Sequence, residues 1–167
     1  KIDLNFEINK KTLTFNNIKM ILNNNEILIP ELVVLNQNTK YLVSGKLITK
    51  DTNLKKKEIN KIINDDFIKL NIHQILFSSK NNFNFEINKD LKVKNLDIKS
   101  DIDLKNFEFR NKLKLENIFP EIKNNLIFKN QNLKIEYKKG NFSIFGGGEA
   151  LFQNEIDEIN YEFHKKN

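Results

Sequence analysis

Apolar and polar residues alternate strictly over several stretches of this chain. Ile2–Ile8, Phe83–Ile87 and Leu133–Tyr137 each place an apolar side chain at every second position, with charged or amide residues between them. Tyr41–Leu47 continues the pattern. A period of two puts the apolar side chains on one face of an extended segment. These stretches therefore predict half-buried antiparallel β-strands.

An internal repeat of eleven residues occupies the middle of the chain. Leu91–Ile98 matches Ile102–Phe109, and Leu113–Ile118 begins a third copy. As a helix, the apolar positions of one copy would form two opposed stripes, whereas as strands they alternate with one change of phase at a Lys-Asn pair. We interpret the repeat as strands, with a β-bulge or a tight turn at Lys-Asn.

Two short segments break the alternation. Leu54–Phe67 carries Ile59, Ile62 and Ile63 at helical spacing, and Asn117–Lys123 suits a brief helical turn. Around them we expect ten to twelve short strands. The predicted fold class is all-β with minor α: a curved antiparallel meander forming a β-groove or half-barrel. Because the sequence begins at Lys, residues 1–167 are interpreted as a single segment of a longer chain.

Composition supports a folded domain and limits its chemistry. The 167 residues are 39% hydrophobic and 30% charged, with five Gly, two Pro and no Cys. Asn must therefore form many of the turns, and disulfides and thiol chemistry are excluded. The net charge of +6 partly reflects abundant Lys, which AT-rich codons favour together with Asn and Ile.

Candidate metal and phosphate sites have weak support. His73 and His164 lack neighbouring residues at a ligand spacing, so both are interpreted as ordinary strand residues. Gly146–Gly148 is followed by a strand-like segment rather than by the Lys and helix of a phosphate loop. We expect a sharp bend there, or a close approach of backbone or ligand to the sheet.

The paired carboxylates and the basic run are interpreted as solvated surface. Asp65–Asp66 and Asp101/Asp103 have no predicted pocket around them, and Lys55–Lys57 is the only run of basic residues. No catalytic motif appears. We therefore expect no enzyme activity, no cofactor and no nucleic-acid partner.

The remaining feature is the apolar face itself, which is an ordinary core if another layer covers it and a binding surface if it stays open. We predict that its lining residues form one connected surface, namely Phe83, Phe85, Ile87, Leu91, Val93, Leu96, Ile98, Ile102, Leu104, Phe107, Phe109, Leu133, Ile135, Tyr137, Phe142 and Ile144.

The second half of the chain resembles a known family. The alternating run Leu91–Phe109 is followed by Leu113–Lys123, Asn132–Lys138, Asn141–Ala150 and Asp157–Phe163. This order of short strands, with one apolar strand running into glycines, resembles the AsmA-like family of bacterial envelope proteins, and its YhdP-like branch above all. The resemblance covers roughly residues 80–167, and it includes no motif from which single functional residues could be transferred.

The resemblance implies a bridge-like lipid-transport protein of the YhdP and TamB type. Such a protein is anchored in the inner membrane of a Gram-negative bacterium and extends through the periplasm. Phospholipid acyl chains would move along its apolar groove between the inner and outer membranes. Two alternatives are a structural or adhesive β-repeat module with a closed core and a carrier with an internal cavity.

Overall fold

The chain forms one antiparallel sheet whose strands follow one another in sequence order. A computed structural model describes residues 2–58, 71–110, 125–152 and 155–166. These ranges hold nine strands, which are β1 (Ile2–Asn9), β2 (Thr12–Leu22), β3 (Asn25–Asn36), β4 (Lys40–Lys55), β5 (Asn71–Asn88), β6 (Val93–Arg110), β7 (Asn125–Lys138), β8 (Asn141–Phe152) and β9 (Glu155–Lys165). The sheet is not closed into a barrel, since β1 and β9 are its two edges. The all-β antiparallel meander expected from the sequence is confirmed.

Alternation along each strand gives the sheet one apolar face. Phe83 lies opposite Gly45 on one side and Ile98 on the other, and Ile98 lies opposite Tyr137. Residues directly opposite each other in an antiparallel pair point to the same side. Extending this register across all strands defines the apolar face, which holds Phe83 and Ile98, and the outer face, which holds Asp97 and Lys99.

The repeat lies largely in a single long strand rather than in short ones, and the described ranges hold nine strands against the ten to twelve expected for the whole chain. The second copy and the part of the first copy from Val93 onward fall in β6, which is 18 residues long, rather than in two short strands. The register of β5 and β6 shifts beside Asn95 and again beside Lys105. These shifts are β-bulges at the two Lys-Asn pairs, as the change of phase predicted. Each bulge restores the apolar phase without a turn, and the strand continues.

Asparagine supplies most of the unusual backbone conformations. Nine non-Gly residues of the described ranges have positive φ, and six of them are Asn. Asn23 and Asn24, at φ 49° and 64°, form the two-residue turn between β2 and β3. Asn17 and Asn95 instead lie at bulges within strands. Asn tolerates this region better than other non-Gly residues. This explains how the chain turns with so few glycines.

The described strands form a single layer, and its apolar face is the more buried of its two faces. The substantial contacts between described elements all join strands that are neighbours in the sheet. Nothing in the described ranges covers the apolar face. All the buried residues point to that face, namely Ile18, Val43, Thr52, Ser79, Ser100, Gln131 and Ala150. The buried positions of the described ranges thus belong to one face of the layer, although no described element lies over that face.

Little helix is found in the part of the chain that the structure describes. Within the predicted helix Leu54–Phe67, Leu54 and Lys55 belong to β4, Lys56–Glu58 are helical, and the rest lies outside the described residues. The predicted turn Asn117–Lys123 also lies outside them. Within the described ranges, no helix is long and apolar enough to cross a membrane.

Candidate functional site

The predicted lining residues fall on the apolar face, with one exception. The register aligns Phe83 with Ile98, Phe85 with Val43, Ile87 with Val93, Ile102 with Leu133 and Ile135 with Ile144. The same side also carries Leu96, Leu104, Phe107, Tyr137 and Phe142. Their role in binding a ligand stays a prediction.

Leu91 is the exception, and Phe109 is only partly described. Leu91 lies between β5 and β6 with φ 58° and a side chain that is 80% exposed. The repeat aligned Leu91 with Ile102, but β6 begins at Val93 and the chain is still turning at Leu91. Phe109 belongs to β6, and its side chain lies outside the described part.

The apolar face is half-open over its middle and open at its flanks. Phe83, Phe85, Ile98, Leu104 and Ile135 are all of intermediate exposure. At the two edges Phe6 is 58% exposed and Phe163 is 53% exposed. Aromatic rings follow one another on this face, with Phe107 and Phe128 centred 5.8 Å apart and Phe142 and Phe163 centred 6.4 Å apart. A ligand could therefore contact continuous apolar surface without displacing a covering layer.

Charge is confined to the other face over the central seven strands. From β2 to β8, no described side chain on the apolar face is charged. The outer face carries alternating signs, and Lys99 pairs with Glu136 at 3.2 Å on neighbouring strands. Charged groups on the apolar side would have to be desolvated when an apolar ligand bound. Their absence from this described surface makes it suited to hydrocarbon.

A polar band lies on the apolar face near the middle of β4, β5 and β6. It consists of Thr49, Thr52, Ser79, Asn81 and Ser100. Thr49 Oγ1 and Ser79 Oγ are 2.9 Å apart, and Asn81 Nδ2 donates to Ser79 Oγ at 2.8 Å. Thr52 Oγ1 is buried without a hydrogen-bond partner among the described residues. The band interrupts the apolar face on these three strands alone, because Ser100 lies opposite Ile135 on β7 and Thr49 lies opposite Ile27 on β3.

Sequence reasoning missed the polar band, although a signal was present. Ser79, Asn81 and Ser100 lie at alternate positions that face the apolar side. On the same strands, Phe83, Phe85 and Ile98 occupy the other positions of that kind. Small polar residues at inward positions of neighbouring segments could have been recognised as a row only with the strand register known. One residue of slip would have placed them on the outer face instead.

Gln131, which lies opposite Leu104 on the apolar face, joins the three strands β7, β8 and β9. Its Nε2 donates to the Glu149 carbonyl on β8 at 2.7 Å and to the Lys129 carbonyl at 3.1 Å. Its Oε1 accepts a hydrogen bond of 3.1 Å from the Tyr161 hydroxyl on β9. Burial raises the pKa of Tyr161 above its usual value near 10. Gln131 is 1% exposed, and the described atoms satisfy its amide, so its role is structural.

The glycine cluster provides space for these side chains. A Cβ built at Gly146 would lie 2.5 Å from the Tyr161 ring, and one built at Gly148 would lie 2.7 Å from Gln131 Nε2. Gly148 also has φ 155°, at the limit of the region that favours glycine. The close approach expected at Gly146–Gly148 thus comes from the protein itself, from the Tyr161 ring, the Gln131 amide and the Asn130 backbone carbonyl, and β8 continues through the three glycines.

The other candidates for chemistry are scattered. Asp101 and Asp103 are exposed on the outer face, and His164 contacts the Glu162 carboxylate at an exposed position. Asp65–Asp66 and the His73 side chain lie outside the described residues. In the described ranges, no three His, Asp or Glu side chains come together as metal ligands would.

Comparison with protein-family models, with curated proteins and with solved structures finds no match for this chain.

Proposed function

We propose that this chain is a segment of a lipid-transport protein of the AsmA-like type, in which phospholipid acyl chains lie on the apolar face. The observation that carries the proposal is an uncharged apolar face from β2 to β8 that no described element covers. The full protein would be anchored in the inner membrane, extend through the periplasm and exchange lipid with the outer membrane.

The energetics suit a passive conduit. Each methylene transferred from water to an apolar surface contributes about 0.8 kcal/mol, whatever its position along the groove. Such contacts are non-directional, so a lipid can slide between equivalent positions with only small barriers. The half-exposed rings of Phe83 and Phe85, centred 6.0 Å apart, offer a surface of this kind.

Photo-crosslinking from two neighbouring residues of β6 tests the proposal. Leu104 lies half-buried on the apolar face, and Asp103 is exposed on the outer face. A photoreactive residue is placed at either position of the full-length protein in native membranes, and adducts are identified by mass spectrometry. We expect phospholipid adducts from position 104 and none from position 103.

Other results would contradict the proposal in different ways. Folded protein without lipid adducts at either position would mean that another layer covers the apolar face, as in a structural or adhesive module. Peptide adducts at position 104 would identify that layer. Equal lipid adducts at both positions would indicate non-specific contact with membrane.

A further inference from the structure

One end of the sheet concentrates the positive charge of the chain. In an antiparallel meander every second turn lies at the same end, and here those turns are Lys10–Lys11, Gln37–Lys40, Lys89–Lys92 and Lys138–Gly140, joined by Lys165–Lys166 at the end of β9. These five stretches contain nine lysines and a single carboxylate, that of Asp90. We call this end of the sheet the lysine rim.

Most of this charge is not neutralised within the described ranges. Lys40 bonds to Glu86 at 2.8 Å, and Lys138 approaches Asp97 at 3.7 Å. Lys10, Lys89 and Lys139 are exposed, and none has a carboxylate partner within 4 Å in the described part of the chain. At the opposite end the described residues are less one-sided, since the Asn23–Asn24 turn is uncharged and the end that carries the basic run Lys55–Lys57 also carries the acidic residues Glu58 and Glu155.

The lysine rim borders an apolar strip of suitable depth for an acyl chain. On β5 this strip runs from Ile87 through Phe85 and Phe83 to Asn81 of the polar band. The eight residues from Asn81 to Asn88 span about 24 Å of extended strand, with a rise of about 3.4 Å for each of the seven steps. One leaflet of a bilayer has about 15 Å of hydrocarbon, half of the ~30 Å core. The strip can therefore hold an acyl chain between the polar band and the lysines.

Resting on the proposed function, we propose that the lysine rim binds the phosphate headgroups of lipids whose chains lie on the strip beside it, so that the protein prefers anionic phospholipids. The rim follows the whole width of the sheet, about 38 Å for eight strand spacings. A lipid sliding across the strands would remain within reach of an ammonium group at each successive turn. A headgroup with net negative charge gains more from this field than a zwitterionic one, whose own ammonium opposes it.

Competition between two lipids tests the preference. The full-length protein is exchanged against vesicles of equal parts phosphatidylglycerol and phosphatidylcholine with the same acyl chains, then separated from them. Mass spectrometry gives the total lipid per protein and the ratio of the two lipids. We expect phosphatidylglycerol enriched on the order of fivefold at low salt, an effect of the size that one nearby lysine produces. The enrichment should shrink as salt screens the exposed lysines.

Two variants with the same change of charge separate the rim from net charge. The rim variant carries Gln at Lys10, Lys11, Lys89, Lys92, Lys139 and Lys165. The control variant carries Gln at the outer-face residues Lys19, Lys46, Lys50, Lys80, Lys99 and Lys134. We expect the rim variant to bind as much lipid as the wild type with the enrichment lost, and the control variant to keep both.

Each contrary outcome is distinct. Equal enrichment in the rim variant and the wild type would overturn the role of the rim while leaving the proposed function intact. The rim variant could instead capture fewer whole vesicles while its ratio of bound lipids stayed that of the wild type. That result would mean that the rim docks the protein on membranes, and it would also overturn the proposed binding of headgroups. Absence of bound lipid in every variant would overturn the proposed function and this inference together.

Discussion

At the scale of single residues, two amides illustrate how an Asn-rich chain folds with few glycines. Asn24 adopts φ 64° in a turn, whereas Asn130 adopts φ 50° inside β7. Both conformations cost an ordinary L-residue about 1 kcal/mol or more. Asn bears less of this cost than other residues because its short amide can bond locally. The Asn130 amide also bonds across the strands, with Nδ2 donating to Glu149 Oε1 on β8 at 3.3 Å. The many Asn residues thus supply backbone conformations that Gly would otherwise provide.

We expect Gln131→Leu to destabilise the fold by about 1–3 kcal/mol. Leucine removes the donor to the Lys129 and Glu149 carbonyls and the acceptor for the Tyr161 hydroxyl, and buried groups left unpaired cost this much. Urea unfolding followed by circular dichroism measures the change. Asn132→Leu, at the exposed neighbouring position on the outer face, is the control and should stay within about 0.5 kcal/mol. Equal unfolding midpoints for the two variants would contradict the structural role of Gln131.

Residue patterns predicted the face of the sheet on which each apolar side chain lies. They predicted less well which side chains surround it there. Phe83 and Ile135 share a face because alternation fixes the side on which each residue lies once the strands pair. Leu91 was misplaced because nothing local in the repeat distinguishes a turn from the first residue of a strand. The burial of Gln131 depends on Tyr161, thirty residues away, and no pattern around Gln131 contains that information.

At the scale of elements, bulges line up across neighbouring strands and form a crease. Asp51 bulges from β4, and its backbone N–H donates to Ser78 Oγ on β5 at 3.0 Å. Lys105 bulges from β6 and reaches across β5 to the Asp51 carboxylate. Asn130, at the matching position of β7, continues the line. Because each bulge bends its strand, a row of them lets the whole sheet bend together.

Two carboxylates form ion pairs with lysines on other strands, and from these pairs we expect the sheet to lose stability in acid. Hydrogen bonds from Lys105 and Lys40 hold the pKa of Asp51 and the pKa of Glu86 below their usual values. A lowered pKa in the folded state contributes stability above the ordinary carboxyl pKa, and that stability is lost as the pH falls through the lowered value. The urea midpoint should therefore fall between about pH 5 and about pH 3, and it should fall less in D51N/E86Q.

The matched control for this acid effect is D101N/D103N. It removes two exposed outer-face carboxylates that form no ion pair in the described part of the chain. The control should follow the wild type through the whole pH range. An identical acid response in D51N/E86Q and the wild type would show that the links from Lys105 and Lys40 add nothing to the stability of the sheet.

The order of the elements was predictable, but their lengths were not. The eleven-residue repeat favoured short strands, because a change of apolar phase is produced equally by a turn and by a bulge. The Lys-Asn pairs at 94–95 and 105–106 are bulges, so β6 continues through both. A turn instead requires enough residues for the chain to reverse, as at Lys89–Lys92. When a single residue absorbs the change of apolar phase, the local sequence does not show whether the chain forms a bulge or a turn.

At the scale of the whole molecule, the topology creates features that no segment contains. Lys10–Lys11, Lys89–Lys92 and Lys138–Lys139 are far apart in sequence. Only the meander places them at one end of the sheet, because alternate turns share an end. The net charge of +6 is therefore unevenly distributed in space. The openness of the apolar face likewise depends on the whole sheet.

A buried charge distinguishes an open face from a closed core over the whole molecule. Ile135 lies half-buried on the apolar face, beside Lys134 on the outer face. In Ile135→Asp the carboxylate would remain hydrated on an open face, so we expect a loss of stability of about 1 kcal/mol or less. In a closed core an unpaired carboxylate would cost about 3–5 kcal/mol. Lys134→Asp is the control for the change of charge, and urea unfolding of both variants with and without bound lipid is the measurement.

Because an acyl chain on the apolar face would desolvate the new carboxylate, lipid should stabilise the wild type and Lys134→Asp but not Ile135→Asp. Severe unfolding of Ile135→Asp without lipid would mean that the apolar face is covered and that the sheet is one layer of a closed core.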